Sequence, residues 1–171
     1  YHDEQNKNNI LKLRKVLDTL PPFCRDFFRG IEPYTSTRTR LAYAYDIRLF
    51  FEFLHETNSF CKKREITELP LSVLDMVQRT DIEEYLEYMS LYQKDGKDIT
   101  NEERGKARKL AALRSFYNYY FQSERIEKNT AALVPLPKRH EKEIIRLEPN
   151  EVAILLDQVE DGTKLTKKEL E

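Results

Sequence analysis

Two groups of basic residues stand just before long apolar helical patterns, and phosphate binding is the chemistry that they could perform. The first group lies at positions 38–40 and the second at 104–109; their members are Arg38, Thr39, Arg40, Arg104, Lys106, Arg108 and Lys109. A helix N-terminus has free N–H groups and a positive dipole end, and nearby guanidinium or ammonium groups add to its attraction for anions. We therefore predict phosphate contacts at both places.

The elements that would position these groups follow from periodicity and capping residues. Hydroxyls at 35–37 offer an N-cap to a helix running to about His55, whose apolar residues recur at a 4-3-4 spacing. Thr80 and Glu83 have the spacing of a capping box before a second helix. Thr100 and Glu103 have the same spacing before a third helix, predicted from about 101 to 122.

The basic residues of the third helix lie mostly before its apolar face begins. A continuous apolar arc starts only at Leu110, so the preceding turns carry charge on all sides and should project beyond the core. Arg114, further along, is a weaker candidate for phosphate contact. Lys138 and Arg139 follow two prolines in an extended, basic connector, and we include them because a connector lying on a polyanion needs positive charge.

The spacing of apolar residues near the N-terminus predicts an amphipathic helix that ends at Pro21-Pro22. We expect it to dock through Leu13, Val16, Leu17 and Phe27, either onto the helical domain or onto a neighbouring protomer, because such an apolar stripe is rarely left in water. The predicted organisation is an N-terminal helical arm at 1–33, a domain at 34–136 that carries both basic groups, a linker at 137–147 and the start of a further domain at 148–171.

Composition favours an all-α protein. Of the 171 residues, 35% are charged and only 4 are Gly, which disfavours a β-sandwich punctuated by glycine. The net charge of -1 conceals basic blocks at 34–64 and 97–140 that alternate with acidic blocks at 65–95 and 141–171. Two widely spaced cysteines and three scattered histidines indicate neither a disulfide framework nor a metal site. We expect no cofactor, no metal, no membrane span and a cytoplasmic location.

The ten tyrosines raise the question of a nucleophile. Tyr43, Tyr85, Tyr117 and Tyr120 lie on the apolar faces of the predicted helices, so we interpret them as core residues. No catalytic residue is predicted in the chain.

Three segments carry a resemblance to a known family. They are Thr39-Arg-Leu-Ala-Tyr43-Ala-Tyr-Asp46-Ile-Arg-Leu-Phe50, Ala107-Arg108-Lys-Leu-Ala-Ala-Leu-Arg114-Ser-Phe-Tyr117, and Ile126-Glu-Lys-Asn129-Thr-Ala-Ala-Leu-Val134-Pro-Leu-Pro137-Lys138. In this order they resemble the core-binding domain of tyrosine recombinases of the phage integrase type. The chain departs from the family pattern at Thr130, where the family has proline.

The resemblance implies a compact bundle of about four helices, the SAM-like core-binding domain of integrases, with the N-terminal arm attached. It also implies a parent protein that clamps double-stranded DNA, cleaves it through a tyrosyl phosphodiester and exchanges strands in a tetramer with sister recombinase protomers. The family's catalytic set lies in a later domain that this chain barely enters. Two alternatives stay open, namely a helical protein-interaction module and a stand-alone DNA-binding regulator.

Overall fold

Seven α-helices and one β-hairpin make up residues 1–136, the part of the chain that the computed structural model describes. The elements are α1 (His2–Leu17), α2 (Cys24–Ile31), α3 (Thr37–Thr57), α4 (Ser59–Lys62), α5 (Val73–Met76), α6 (Arg79–Tyr88), β1 (Leu91–Lys94), β2 (Lys97–Thr100) and α7 (Glu103–Gln122). Short 3-10 turns occupy Glu32–Tyr34, Ile66–Glu68 and Thr130–Leu133. The predicted all-α class is confirmed.

Helix α3 begins where its hydroxyl cluster predicts. Ser36 is the N-cap, and its side-chain oxygen accepts a hydrogen bond from the backbone N–H of Thr39 at 3.1 Å. The apolar stripe of α3 is buried at Ile47, Phe50 and Leu54. This helix forms one wall of the core.

Helix α7 forms the opposite wall of the core and carries its largest side chains. The ring of Phe116 contacts Phe27 of α2 with ring centroids 5.3 Å apart, and Phe51 of α3 at 6.1 Å. The hydroxyl of the buried Tyr117 donates a hydrogen bond to the carbonyl of Leu74 at 2.9 Å. The helical spacing of apolar residues also places Phe121 in the apolar arc that starts at Leu110, but Phe121 is 42% exposed.

The N-terminal helices pack onto this core within the same chain. Leu13, Val16 and Leu17 of α1 are buried, and α1 contacts α3 along its length. Phe27 of α2 is completely buried. Of the two docking partners expected from the sequence, the structure shows the chain's own helical domain.

Both predicted capping boxes are wrong. Helix α6 begins at Arg79, one residue before Thr80, and the side chain of Asp81 accepts a hydrogen bond from the backbone N–H of its N-cap, Gln78, at 2.8 Å. Glu83 instead forms an ion pair with Arg79. Thr100 belongs to β2, so it cannot cap α7, whose N-cap is Glu102.

A β-hairpin that the helical reading did not predict precedes α7. Strands β1 and β2 pair antiparallel around Asp95 and Gly96, whose φ angles of 53° and 76° both lie in the left-handed region. That conformation is the type I′ turn, for which Asp-Gly is a strong sequence signal. The hairpin is held to α6 by stacking of Tyr92 on Tyr88, with centroids 5.2 Å apart.

The segment after α7 is fixed by polar contacts to the α5 region. The carboxylate of Asp75 accepts hydrogen bonds from the backbone N–H groups of Glu127 and Lys128. Thr130, where the resembling family has proline, is buried and donates its hydroxyl to the carbonyl of Val77 at 3.1 Å. The hydroxyl thus satisfies a carbonyl that a proline side chain would leave without this donor.

In the part of the chain that the structure describes, no helix combines the length and apolar character needed to cross a membrane. The predicted linker at 137–147 and the segment at 148–171, with Lys138 and Arg139, lie outside the described residues. The domain boundaries therefore remain predictions.

Candidate nucleic-acid interface

The start of α3 exposes only part of the first predicted group. Arg38 is exposed and Thr39 is half-buried. The Thr39 hydroxyl accepts a hydrogen bond from the Ser36 side chain at 3.1 Å, which holds it at the capped first turn. A guanidinium and a hydroxyl are therefore available beside a helix N-terminus.

Arg40, the third member of this group, points into the domain. It is 7% exposed, and Nη1 donates hydrogen bonds to the carbonyls of Glu32 at 3.0 Å and Thr35 at 2.6 Å. The side chain ties the turn before α3 to the helix. The sequence contained the signal for this role, because Arg40 continues the 4-3-4 spacing of the buried residues Ala44, Ile47 and Phe51.

In the first turns of α7, two members of the second basic group are exposed, as the sequence predicts. Arg104 and Arg108, four residues apart on one side of the helix, are both exposed, and Lys106 is half-buried. Gly105 lies against the side chain of Asn101, where an added Cβ would come within 2.7 Å of Oδ1. Asn101 in turn donates a hydrogen bond to the carbonyl of Met89 at 3.0 Å. These contacts fix the entry of the chain into α7.

A buried carboxylate on α3 anchors the second basic group. Asp46 is 4% exposed, and its Oδ1 lies 3.2 Å from Nη2 of Arg108 and 3.7 Å from Nζ of Lys109. The side chain of Lys109 is 11% exposed, whereas that of Arg108 is 52% exposed. The start of α7 is therefore fastened beside the first half of α3, with Lys109 turned inward and Arg108 reaching solvent.

Burial dominates the electrostatics of this cluster. Removal from water raises the pKa of Asp46, although the charges of Arg108 and Lys109 oppose that shift. Burial likewise lowers the pKa of Lys109, against the attraction of Asp46. Each shift has the sign expected for a charge taken out of water, and the attraction between the two groups opposes both shifts.

Arg114, the weaker sequence candidate, holds the segment after α7. Its Nη2 donates a hydrogen bond to the carbonyl of Val134. This hydrogen bond joins the middle of α7 to the end of the 3-10 turn at Thr130–Leu133. The bonded N–H of Arg114 therefore stabilises the fold.

Sequence reasoning missed one exposed and one half-buried residue of α3. Tyr45 is 42% exposed, and the guanidinium carbon of Arg48 lies 5.3 Å from the centre of its ring. Tyr45 is seven residues after Arg38, so both lie on one side of the helix. That spacing, on the side opposite the apolar stripe, was the available signal.

The tyrosines interpreted as core residues do lie in or against the core. Tyr85, Tyr117 and Tyr120 are buried, and burial raises the pKa of each hydroxyl. Tyr43 is half-buried against the same cluster. A phenol whose pKa is raised by burial resists ionisation, so Tyr85, Tyr117 and Tyr120 are poor nucleophiles.

The exposed arrangement can bind anions, and the described residues do not combine to suggest other chemistry. Within residues 1–136, no three His, Cys, Asp or Glu side chains are grouped to hold a metal ion. Exposed cations occupy the start of α3 and the start of α7, and Asp46 joins the second group to the middle of α3. Such a surface suits a ligand with several phosphates, since each helix start can take one.

Comparison with known proteins gives relatives of one kind. The chain is 28% identical over 153 residues to "Tyrosine recombinase XerC" of Caldanaerobacter subterraneus, covering 84% of this chain and 42% of that protein. Proteins with the same name from Syntrophus aciditrophicus and Pediococcus pentosaceus are 30% and 31% identical over 132 and 112 residues, covering 77% and 66% of this chain. The chain spans only 39% and 31% of those two relatives. No family model and no solved structure matches the chain.

Proposed function

The chain belongs to the tyrosine recombinase family, matching the N-terminal region of its members, and we propose that residues 1–136 grip double-stranded DNA for such an enzyme. The observation that carries the proposal is the exposed basic start of α7, which Asp46 holds against the middle of α3. Strand cleavage and exchange would be performed by a C-terminal catalytic domain, in a tetramer of sister protomers on DNA.

We propose direct phosphate or groove contacts for the side chains that reach solvent: Arg38, Thr39, Arg104, Lys106 and Arg108. Lys and Arg contacts to phosphates supply most of the affinity of such proteins, while a few side chains at the base edges supply specificity. A helix start with charge on all sides suits insertion into the major groove. Lys138 and Arg139, in the predicted connector, would extend the contact along the DNA backbone.

The other three predicted contacts are proposed to act indirectly. The described donors of Arg40, Lys109 and Arg114 bind groups inside the domain, and Arg40 and Lys109 are also largely buried. Each holds a segment that carries or adjoins an exposed cation. We therefore assign these three a supporting role.

The burial of α1 favours DNA binding over a helical protein-interaction module. That alternative used the N-terminal amphipathic helix together with the acidic face, and Leu13, Val16 and Leu17 of the helix are buried in the chain's own core. A stand-alone regulator is disfavoured by the sequence relationship to recombinases.

The salt dependence of DNA binding tests the proposal. Arg104→Ala with Arg108→Ala should lower the slope of log K against log salt by about 2, because each phosphate contact contributes roughly 0.9. Lys12→Ala with Lys15→Ala removes the same charge from exposed positions on α1 and should leave the slope unchanged. Fluorescence anisotropy with a labelled mixed-sequence duplex measures both.

Three results would contradict the proposal. Absence of salt-dependent binding by the unmodified chain would exclude DNA gripping. An unchanged slope in the α7 double variant would exclude that helix start as the contact. Equal losses in the two double variants would show general attraction to a basic surface and no localised interface.

A further inference from the structure

Asp46 is buried, yet it contacts Arg108, whose side chain is 52% exposed. We propose that Asp46 is a positioning residue, which holds the Arg108 guanidinium in the orientation in which it meets a DNA phosphate. The inference rests on the proposed DNA-binding function, which it deepens by assigning a role to an acidic residue.

The three charged groups Asp46, Arg108 and Lys109 have different roles in this arrangement. Lys109, with its side chain 11% exposed, offsets the charge of Asp46 inside the domain. Nη2 of Arg108 donates a hydrogen bond to Oδ1 of Asp46, while about half of the Arg108 side chain is exposed to solvent. A guanidinium has five N–H donors in a rigid fork, so one can be anchored while others face a phosphate. Arg108 is therefore tethered without being neutralised.

Stability alone does not account for this cluster. Buried ion pairs are often no more stabilising than apolar residues of similar volume. Among the described residues, Oδ2 of Asp46 has no hydrogen-bond partner, and neither does the buried hydroxyl of Tyr85. Unpartnered buried polar atoms oppose folding. A buried carboxylate with one unpartnered oxygen is therefore better explained by a role in fixing the positions of Arg108 and Lys109.

Positioning and net charge make opposite predictions for one substitution. Asp46→Asn removes a negative charge near the proposed phosphate site, so electrostatics alone would strengthen DNA binding. Loss of the tether would weaken it, because a free arginine must be ordered again when DNA binds. The direction of the change separates the two causes.

The test is a double-mutant cycle in the full 171-residue chain, with Asp46→Asn and Arg108→Ala. Affinity for a fluorescently labelled mixed-sequence duplex is measured by anisotropy at constant salt. We expect Asp46→Asn to weaken binding about two- to tenfold, the ordering cost of one long side chain. In the Arg108→Ala background the same substitution should leave affinity unchanged or increase it. A purely structural role would give equal weakening in both backgrounds.

A second cycle controls for misfolding. Asp46→Asn alone leaves the buried Lys109 ammonium without its carboxylate, which can unfold the domain. Building the cycle on Lys109→Met removes that unpaired charge, and circular dichroism verifies folding of each variant. The same dependence on Arg108 is expected there.

Tighter binding of Asp46→Asn in the presence of Arg108, or equal weakening with and without it, would overturn the inference. If the unmodified chain binds DNA with steep salt dependence in those cases, the proposed function survives. If the unmodified chain does not bind, the proposed function itself fails.

Discussion

Deleting residues 1–33 should unfold residues 34–136, although the sequence suggested a separable arm. Seven apolar side chains of this segment lie in the common core: Leu13, Val16, Leu17, Leu20, Cys24, Phe27 and Phe28. They pack against α3 and α7, which also carry the proposed interface. Their loss would open the core along one side.

The magnitude follows from burial. A fully buried apolar side chain contributes about 1.5–3 kcal/mol, so seven contribute roughly 10–20 kcal/mol. Part of that area is buried between α1 and α2 themselves, and we count half, about 5–10 kcal/mol. A whole domain has a net stability of about 5–15 kcal/mol. The truncated domain should therefore be unfolded or close to it.

Thermal unfolding followed by circular dichroism measures the effect. The 171-residue chain should melt cooperatively, and the chain lacking residues 1–33 should show little helix and no transition. Deletion of residues 1–5, all exposed, is the matched control and should leave the melting temperature unchanged. A cooperative transition of the truncated chain near that of the control would refute the packing reasoning and support a detachable arm.

Two further predictions concern single polar groups. Tyr117→Phe should destabilise the domain by about 1–3 kcal/mol in urea unfolding, because the buried carbonyl of Leu74 loses its donor; no loss would show that the hydrogen bond contributes nothing net. Asp26 accepts hydrogen bonds from Arg125 at 2.8 Å and Arg29 at 3.2 Å, and the bond from Arg125 is the main reason that its pKa is lowered. Its folded pKa lies below its unfolded value, so its contribution is present above the unfolded value of about 4 and is lost as the pH falls through the folded value. Asp26→Asn should make the melting temperature depend less steeply on pH below about 5, and an unchanged pH profile would contradict this.

The sequence by itself determined the longer helices and most of their buried faces. The 4-3-4 spacing in α3 and the apolar arc of α7 identified their core residues, because a helix of fixed period must bury one side. The sequence also placed the N-cap of α3 within the hydroxyl cluster at 35–37, where Ser36 is the cap, because Ser and Thr are preferred at that position of a helix. It contained a hairpin signal in Asp95-Gly96 as well, which the search for capping boxes obscured.

Only the tertiary structure decided that Lys109 turns inward while its neighbour Arg108 reaches solvent. Arg40 and Lys109 stand in the same basic groups as Arg38 and Arg108, yet one member of each group turns inward. Their partners are backbone carbonyls near Thr35 and the carboxylate of Asp46, which lies 62 residues before Arg108. A local pattern reports the charge of a residue and its angle on a helix. The acceptors of Arg40 are local carbonyls, whereas Asp46 comes within reach of Lys109 only after α3 and α7 have packed. For Lys109, packing across the core therefore determines that the side chain holds the fold and does not remain free for a phosphate.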